Sequence, residues 1–581
     1  MSKKLILTAA AVCLSFTALS VFAIGGENPP KRTRRAEKKL NITVVPWGPT
    51  QADVDAARQR VELNEGVRRE LRGSKYRQVG FEYLYDSNER KDQPSRPPTR
   101  FRVVYYNYST DMSLFAEGDF AGSEAISTQW VSAVPGVGDD EINAAYKVAE
   151  QDAAVSARRQ AKKIEFYEAM PPTTVLDGER LVNIGIRDQQ TGENQIVGVS
   201  FKNGKLVRYA NNAPPASAAT PESCGITNAG QPASAQGLAG QSTLTVTEAG
   251  TGNTLWEMLI LRPSASSGAN FEKSGLEIRD VRYRGKSVLK RGHTPILNVQ
   301  YVNSCGPFRD WQYSESPFDA PAAGATDPAP GIRILAAGQV ATTVIESRND
   351  LGNFQGVAIY TQDVGFGPEV VLVTEMSAGW YRYIMEWRFA ADGTIRPRYG
   401  FGSVTDSCVC IQRTHHVYWR FDFDVVNSNN RVYQLDRGRK FLKLLDTETM
   451  LFKNVQKSRS LLIQNSAGNE AYQLVPGAND GQVVDANGNL VDSFGGGDFW
   501  VMQFKGTAGS PLELDDPNAG GAAAANLDTW INAESLVDTD LVVWYAGHQM
   551  RQDDSSRSGA RVPEVISGAH VMGPTLRPVR W

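Results

Sequence analysis

Hydrophobic and polar positions along this chain follow two different periods, and the places where the period changes divide it. Pro49 to Leu71 has helical spacing and runs out at Gly73. Alternating segments follow, GFEYLYD, TRFRVVYYNYS, MSLFAEGDF and AISTQWV, each reading as a strand with one face turned to a core. The same order then repeats. Asp139 to Lys163, rich in Ala, Glu, Gln and Arg, predicts a second helix, and LVNIGIRD and QIVGVSFKNGKLVRYA predict strands with a hairpin turn at Asn203-Gly204. Residues 49–137 and 138–212 therefore read as two small α+β modules, each a helix laid on an antiparallel sheet, and neither carries a catalytic constellation. Residues 213–242 are rich in Pro, Ala, Ser and Gly, the composition of a linker. From 243 to Trp581 the pattern is short strands and turns with hardly any helical periodicity, which predicts one large all-β sandwich.

Composition changes this picture little, but the first residues and the cysteines add to it. At 581 residues and 41% apolar the chain can bury large cores, and a net charge of −3 gives no general attraction to nucleic acid or anionic membrane. Lys3 and Lys4, an apolar run from Leu5 and the small-residue site Val21-Phe22-Ala23 read as a signal peptide over residues 1–23, so the chain is expected to be exported. An uncleaved anchor is the alternative, because the run is nearly long enough to span a bilayer. No later stretch is expected to cross one. Residues 24–48 begin polar and basic and read as a solvated linker. Of five cysteines, Cys224, Cys305, Cys408 and Cys410 remain after cleavage, and four allow three pairings. Cys408 and Cys410, one residue apart, are expected to be buried or to pair with distant partners rather than with each other. DANGNLVD, at 485–492, reads as a hairpin turn rather than a calcium loop, because its spacing misses the consensus.

The most distinctive stretch is SAGWYRYIMEWRFAADGTIRPRYGFGSVTDSCVCIQRTHHVYWRFDFD, residues 377–424. It has two aromatic-rich strands, a DGT turn and then two adjacent histidines in a chain with five. It resembles the core of the copper amine oxidases. The resemblance extends to GLEIRDVRYRGKSVLKRGHTPILNVQY, RDWQYSESPFD, DLVVWYAGHQMRQDD and the terminal TLRP, in family order. It implies the family's fold, a homodimer, and a cofactor made from one of the protein's own tyrosines. In that family copper held by three imidazoles oxidises the tyrosine to topaquinone, and the quinone converts a small primary amine, dioxygen and water to aldehyde, ammonia and hydrogen peroxide.

By this resemblance Tyr381 stands at the precursor tyrosine, Tyr301 at the tyrosine that hydrogen-bonds the quinone, and Asp319 at the catalytic base. Pro317 stands where the family has a gating tyrosine. His415 and His548 match two copper ligands, while the first histidine of the family's His-x-His is Arg413. A guanidinium keeps its proton and has no lone pair to offer, so Arg413 cannot ligate, and His416 points to the other face of its strand. Trp380 replaces a small amide and is expected to crowd the cofactor. Arg382 replaces an acid and is expected to place a cation beside it. A peripheral calcium site looks intact, with Asp422, Asp424 and Asp540 as carboxylates and Phe423 and Leu541 as carbonyl donors. Two readings follow. The chain is an exported amine-oxidase-fold protein that is non-catalytic or impaired, or it is a working oxidase with topaquinone at Tyr381 and a rearranged copper site.

Overall fold

Residue 64 shows how local chemistry sets the first module. The helical stretch is split into Gln51–Leu63 and Glu65–Leu71, because the Asn64 side chain accepts from the Val67 amide and starts a second helix. The Thr50 hydroxyl and Asp53 carboxylate form a reciprocal cap on the first. These helices turn Val54, Val61, Val67 and Leu71 onto a four-stranded antiparallel sheet of Tyr76–Leu84, Arg100–Asn107, Met112–Asp119 and Ser127–Val131. The second module repeats the plan, with Asp139–Ala149 and Ala153–Gln160 against Ile164–Leu176, Glu179–Asp188, Asn194–Ser200 and Lys205–Arg208. Gly204, at φ 62°, makes the hairpin turn. Ile164–Leu176 was not legible as a strand. The modules meet through a buried cluster in which Arg180 binds Glu141 in a fork (2.8 and 2.9 Å) and the Tyr108 hydroxyl donates to the same carboxylate.

This computed structural model describes residues 39–84, 93–190, 194–209, 225–226, 237–266, 273–301, 306–363, 367–404, 406, 408–437, 440–484, 492, 495–504, 527–551 and 571–581. The expected signal peptide, the basic residues 24–38, Cys224, Cys305 and most of DANGNLVD lie outside them. Among the described residues no helix is long and apolar enough to cross a membrane.

Two large sheets make the sandwich. One runs in the order Leu40–Pro46, Gln241–Glu248, Thr254–Leu261, Glu277–Tyr283, Lys286–Tyr301, Arg413–Phe423, Leu541–Arg551, Phe499–Gln503, Thr449–Leu451. The other includes Val357–Asp363, Pro368–Ala378, Tyr381–Ala390, Ile395–Ser403 and, across a wide sequence gap, Thr575–Arg580. Leu40–Pro46 corrects the linker expectation for its part of 24–48, since it pairs residue for residue with Gln241–Glu248. Its LNITVVP sequence has the β-branched content that a strand favours.

Strand alternation decides what faces the space between the sheets. On Tyr381–Ala390 the odd positions Tyr381, Tyr383, Met385, Trp387 and Phe389 point inward and are fully buried. On Arg413–Phe423 the inward set is Arg413, His415, Val417, Trp419, Phe421 and Phe423, and the last four join the main core. The even positions face a separate cluster, where Tyr418 packs with Ile296, Trp500, Val542 and Trp544.

Candidate active site and metal positions

Tyr381 opens its strand directly after a tight turn at Gly379 (φ 56°), a conformation glycine adopts without strain. Its hydroxyl meets the hydroxyl of Tyr301, the last residue of Lys286–Tyr301, in a short hydrogen bond. The Trp380 indole N–H donates to the same Tyr301 oxygen at 3.0 Å. Trp380 therefore locks Tyr301 in place, and it also packs against the Tyr381 ring at 6.1 Å. Burial pushes the Tyr381 hydroxyl up to about 12, with the nearby Arg413 charge partly opposing it.

His415 stands edge-on to the Tyr381 ring at 4.7 Å and stacks on Phe401 at 3.5 Å. The Arg413 guanidinium lies 5.6 Å from the centre of the Tyr381 ring. It donates to the carbonyls of Val409 and Ile411 (3.2 Å for the latter) and to the Ser403 hydroxyl at 3.3 Å. That backbone lies in and just after the turn Cys408–Cys410, whose two cysteines are each disulfide-bonded. The cation is thus fixed in the position where the resemblance asks for a copper ligand.

Two expected members of the site lie elsewhere. Asp319 is exposed, between the buried Phe318 and Ala320, with its backbone bridged to Thr342 (3.0 and 2.8 Å). The carboxyl that does enter the site is Asp310, nine residues earlier in the same RDWQYSESPFD segment. It follows Phe308–Arg309, which pairs with Lys286–Tyr301 and carries the chain inward. The Tyr383 hydroxyl donates to it. Full burial raises its pKa to about 7, and the Tyr383 hydrogen bond only partly offsets the effect. The signal available in the sequence was a second aspartate in the segment and a tyrosine two residues after Tyr381, on the same strand face.

Arg382 also departs from expectation. It points away from Tyr381 and forms a buried fork with Asp350 (2.8 and 3.0 Å), so its charge is paired away from the tyrosine.

His548 is the larger correction. In the register of Arg413–Phe423 with Leu541–Arg551, His415 lies opposite Gln549, and His548 lies opposite His416. Directly opposed residues share a face, so His548 is turned away from Tyr381. The inner face presents Arg413, His415 and Gln549, which is not a three-imidazole set, and the residues present do not fit copper as the resemblance requires.

The peripheral carboxylates do come together. Single oxygens of Asp422, Asp424 and Asp540 lie within 4.8 Å of one another at the ends of the two strands, where Phe423 and Leu541 are paired. Arg420 Nη1 stands 4.0 Å from Asp422. Three carboxylates at this spacing are hard oxygen donors that suit calcium.

No family model matches the chain, and no curated protein matches it. Solved structures do. A copper-containing benzylamine oxidase from Hansenula polymorpha aligns over 92% of this chain and 97% of its own, at 13% identity and TM-score 0.59. The Pichia pastoris lysyl oxidase aligns over 94% and 92% (12% identity, TM-score 0.53), and an Aspergillus nidulans amine oxidase over 95% and 90% (13% identity, TM-score 0.52). The fold is that of the copper amine oxidases. The α+β modules and the sandwich both lie within the aligned length, and the low identity agrees with the divergence seen at Trp380, Arg382 and Arg413.

Proposed function

We propose that this chain is an exported, homodimeric member of the copper amine oxidase family in which the oxidase chemistry is lost or impaired, and that it acts in binding or assembly. The observation that carries this reading is the inner face beside Tyr381. Arg413 occupies one expected ligand position, and His548 faces the other side of the sheet. A fixed guanidinium repels a dication, and one imidazole cannot replace three. In the same reading Asp422, Asp424 and Asp540, with the carbonyls of Phe423 and Leu541, hold a structural calcium.

The test is metal content and redox-cycling quinone staining of the purified mature protein after aerobic incubation with copper, together with a peroxide assay on benzylamine. No stain and no amine-dependent peroxide are expected. Near-stoichiometric copper with a stain that vanishes in Tyr381→Phe would overturn the reading. That outcome would support the second one, an active primary-amine oxidase. The observations favouring it are the Tyr301–Tyr381 hydroxyl pair and Asp310, a carboxyl half-ionised near neutrality as a general base requires.

A further inference from the structure

The far edge of the sheet that holds Tyr381 carries a surface of a different kind. Phe441–Leu445 is the end strand there, paired with Asn430–Asp436. Phe441, Leu442, Lys443 and Leu444 are all exposed, so successive side chains reach water on both faces of the strand. The loop after Thr449–Leu451 lies beside it. Arg459 donates to the Phe452 carbonyl at 3.1 Å and forks onto Asp436 (2.9 and 3.1 Å), and the Arg437 amide donates to the Lys457 carbonyl. The loop is tightly turned. Asn454 accepts from the Lys457 amide through its side chain (2.8 Å) and from the Arg459 amide through its carbonyl (3.0 Å).

Two kinds of side chain share this surface. Phe441 (60% exposed), Leu442 (57%), Phe452 (44%) and Val455 (78%) are apolar, and among the described residues the exposed phenylalanines are these two. Arg437, Lys440, Lys443 and Lys457 are exposed cations, with the Arg437 guanidinium 5.9 Å from the centre of the Phe441 ring. The carboxylates of residues 436–459 do little to balance them. Asp436 is paired with Arg459, and Glu448 is buried on the amides of Gln503 and Asn532 (3.0 and 2.8 Å). Asp446 alone is exposed, so four cations stand against one carboxylate in a chain whose net charge is −3.

Single exposed apolar residues need no explanation, but a group of them among cations marks an interaction surface. The charge decides what covers it. Lys443 on the edge strand hinders pairing with another chain, and a two-fold contact would set four cations against four. A soluble polyanion would engage the cations and leave Phe441, Leu442 and Val455 in water. An anionic lipid surface takes both, with cations at the headgroups and apolar side chains at the acyl boundary.

We propose that Phe441–Leu445 and the loop 452–457 form an interfacial docking site for an anionic phospholipid membrane. Phe441, Leu442, Phe452 and Val455 insert, and Arg437, Lys440, Lys443 and Lys457 hold the headgroup phosphates. The surface lies on the membrane and does not span it. It is independent of the chemistry at Tyr381, because five strands of the sheet separate Phe441–Leu445 from Tyr381–Ala390.

The experiment is sedimentation of the purified mature full-length chain with phosphatidylcholine vesicles, with and without about 30% phosphatidylglycerol. Each cation near an anionic leaflet contributes about five-fold, so the anionic vesicles are expected to bind at least about 100-fold more tightly at about 0.1 M salt. Raising the salt to about 0.5 M is expected to remove at least about 10-fold. Lys440→Glu with Lys443→Glu is expected to cost about 25-fold or more. Phe441→Ser with Val455→Ser is expected to cost about 10-fold or more and to leave the salt dependence unchanged. All four positions are exposed, and circular dichroism checks that these variants keep the fold. In Phe441→Trp the added indole is expected to be quenched by lipids brominated near the headgroup. Equal binding to both vesicles, or binding that survives both double variants and so belongs to the basic residues 24–38, would overturn the proposal. A loss in the lysine pair with no effect of the apolar pair would also overturn it, marking a site for a soluble polyanion. So would a dimer in sedimentation velocity that Phe441→Ser dissociates, which would make the surface a subunit contact.

Discussion

Replacing Asp310 by asparagine tests the reading of the inner site most directly. The carboxyl is fully buried, has the Tyr383 hydroxyl as its donor, and titrates at about 7 in the fold, against about 4 in an unfolded chain. Below about pH 4 both states hold the proton and the group has no pH-dependent effect. Between about pH 4 and 7 the folded state keeps a proton that the unfolded state has released, so stability falls as pH rises. The slope is about 1.4 kcal/mol per pH unit, and the loss levels off above pH 7 at about 4 kcal/mol. Asp310→Asn has nearly the same shape, still accepts from Tyr383 and does not titrate. The variant is therefore expected to gain on the unmutated protein steadily across that window and to hold a constant advantage above it. Urea unfolding followed by the fluorescence of the buried tryptophans, with both proteins compared at closely spaced pH values, measures the difference. A flat difference between pH 4 and 8, or one of opposite slope, would mean that Asp310 is ionised in the fold and would refute the argument.

Arg413→His alone is expected to leave copper weakly held, because the register keeps His548 on the far face; adding Gln549→His places an imidazole opposite His415 and is expected to raise copper affinity by a factor of at least about 10. Equal affinities by equilibrium dialysis would count against the register argument. Calcium at about 100 times its dissociation constant is expected to stabilise the sandwich by about 2.7 kcal/mol, and Asp422→Asn to abolish that gain in a thermal unfolding series with and without chelator. Arg180→Met leaves Glu141 buried with only the Tyr108 hydroxyl and the Gly138 amide, at an expected cost of about 3–5 kcal/mol; the double variant with Glu141→Gln should recover much of it in urea unfolding.

The sequence by itself determined the architecture. Period 3.6 giving way to period 2, twice over and then for good, follows from the way each element must bury one face, so both modules and the all-β remainder could be read without contacts. It also determined that position 413 offers no metal ligand, because a guanidinium has no lone pair to donate in any fold. The Tyr301–Tyr381 pairing and the convergence of Asp422, Asp424 and Asp540 were likewise legible, through motifs that keep their spacing. What only the tertiary structure decided is which side of a strand a residue serves relative to its neighbour. His548 and Gln549 are adjacent in sequence, and a one-residue difference in register turns either one toward Tyr381. The same holds for Asp310 and Asp319, two carboxyls in one segment, where the path of the loop alone buries the first and leaves the second in water. Burial then does the rest: it raises the pKa of Asp310 and places His416 against His548, and neither effect has a local signature in the chain.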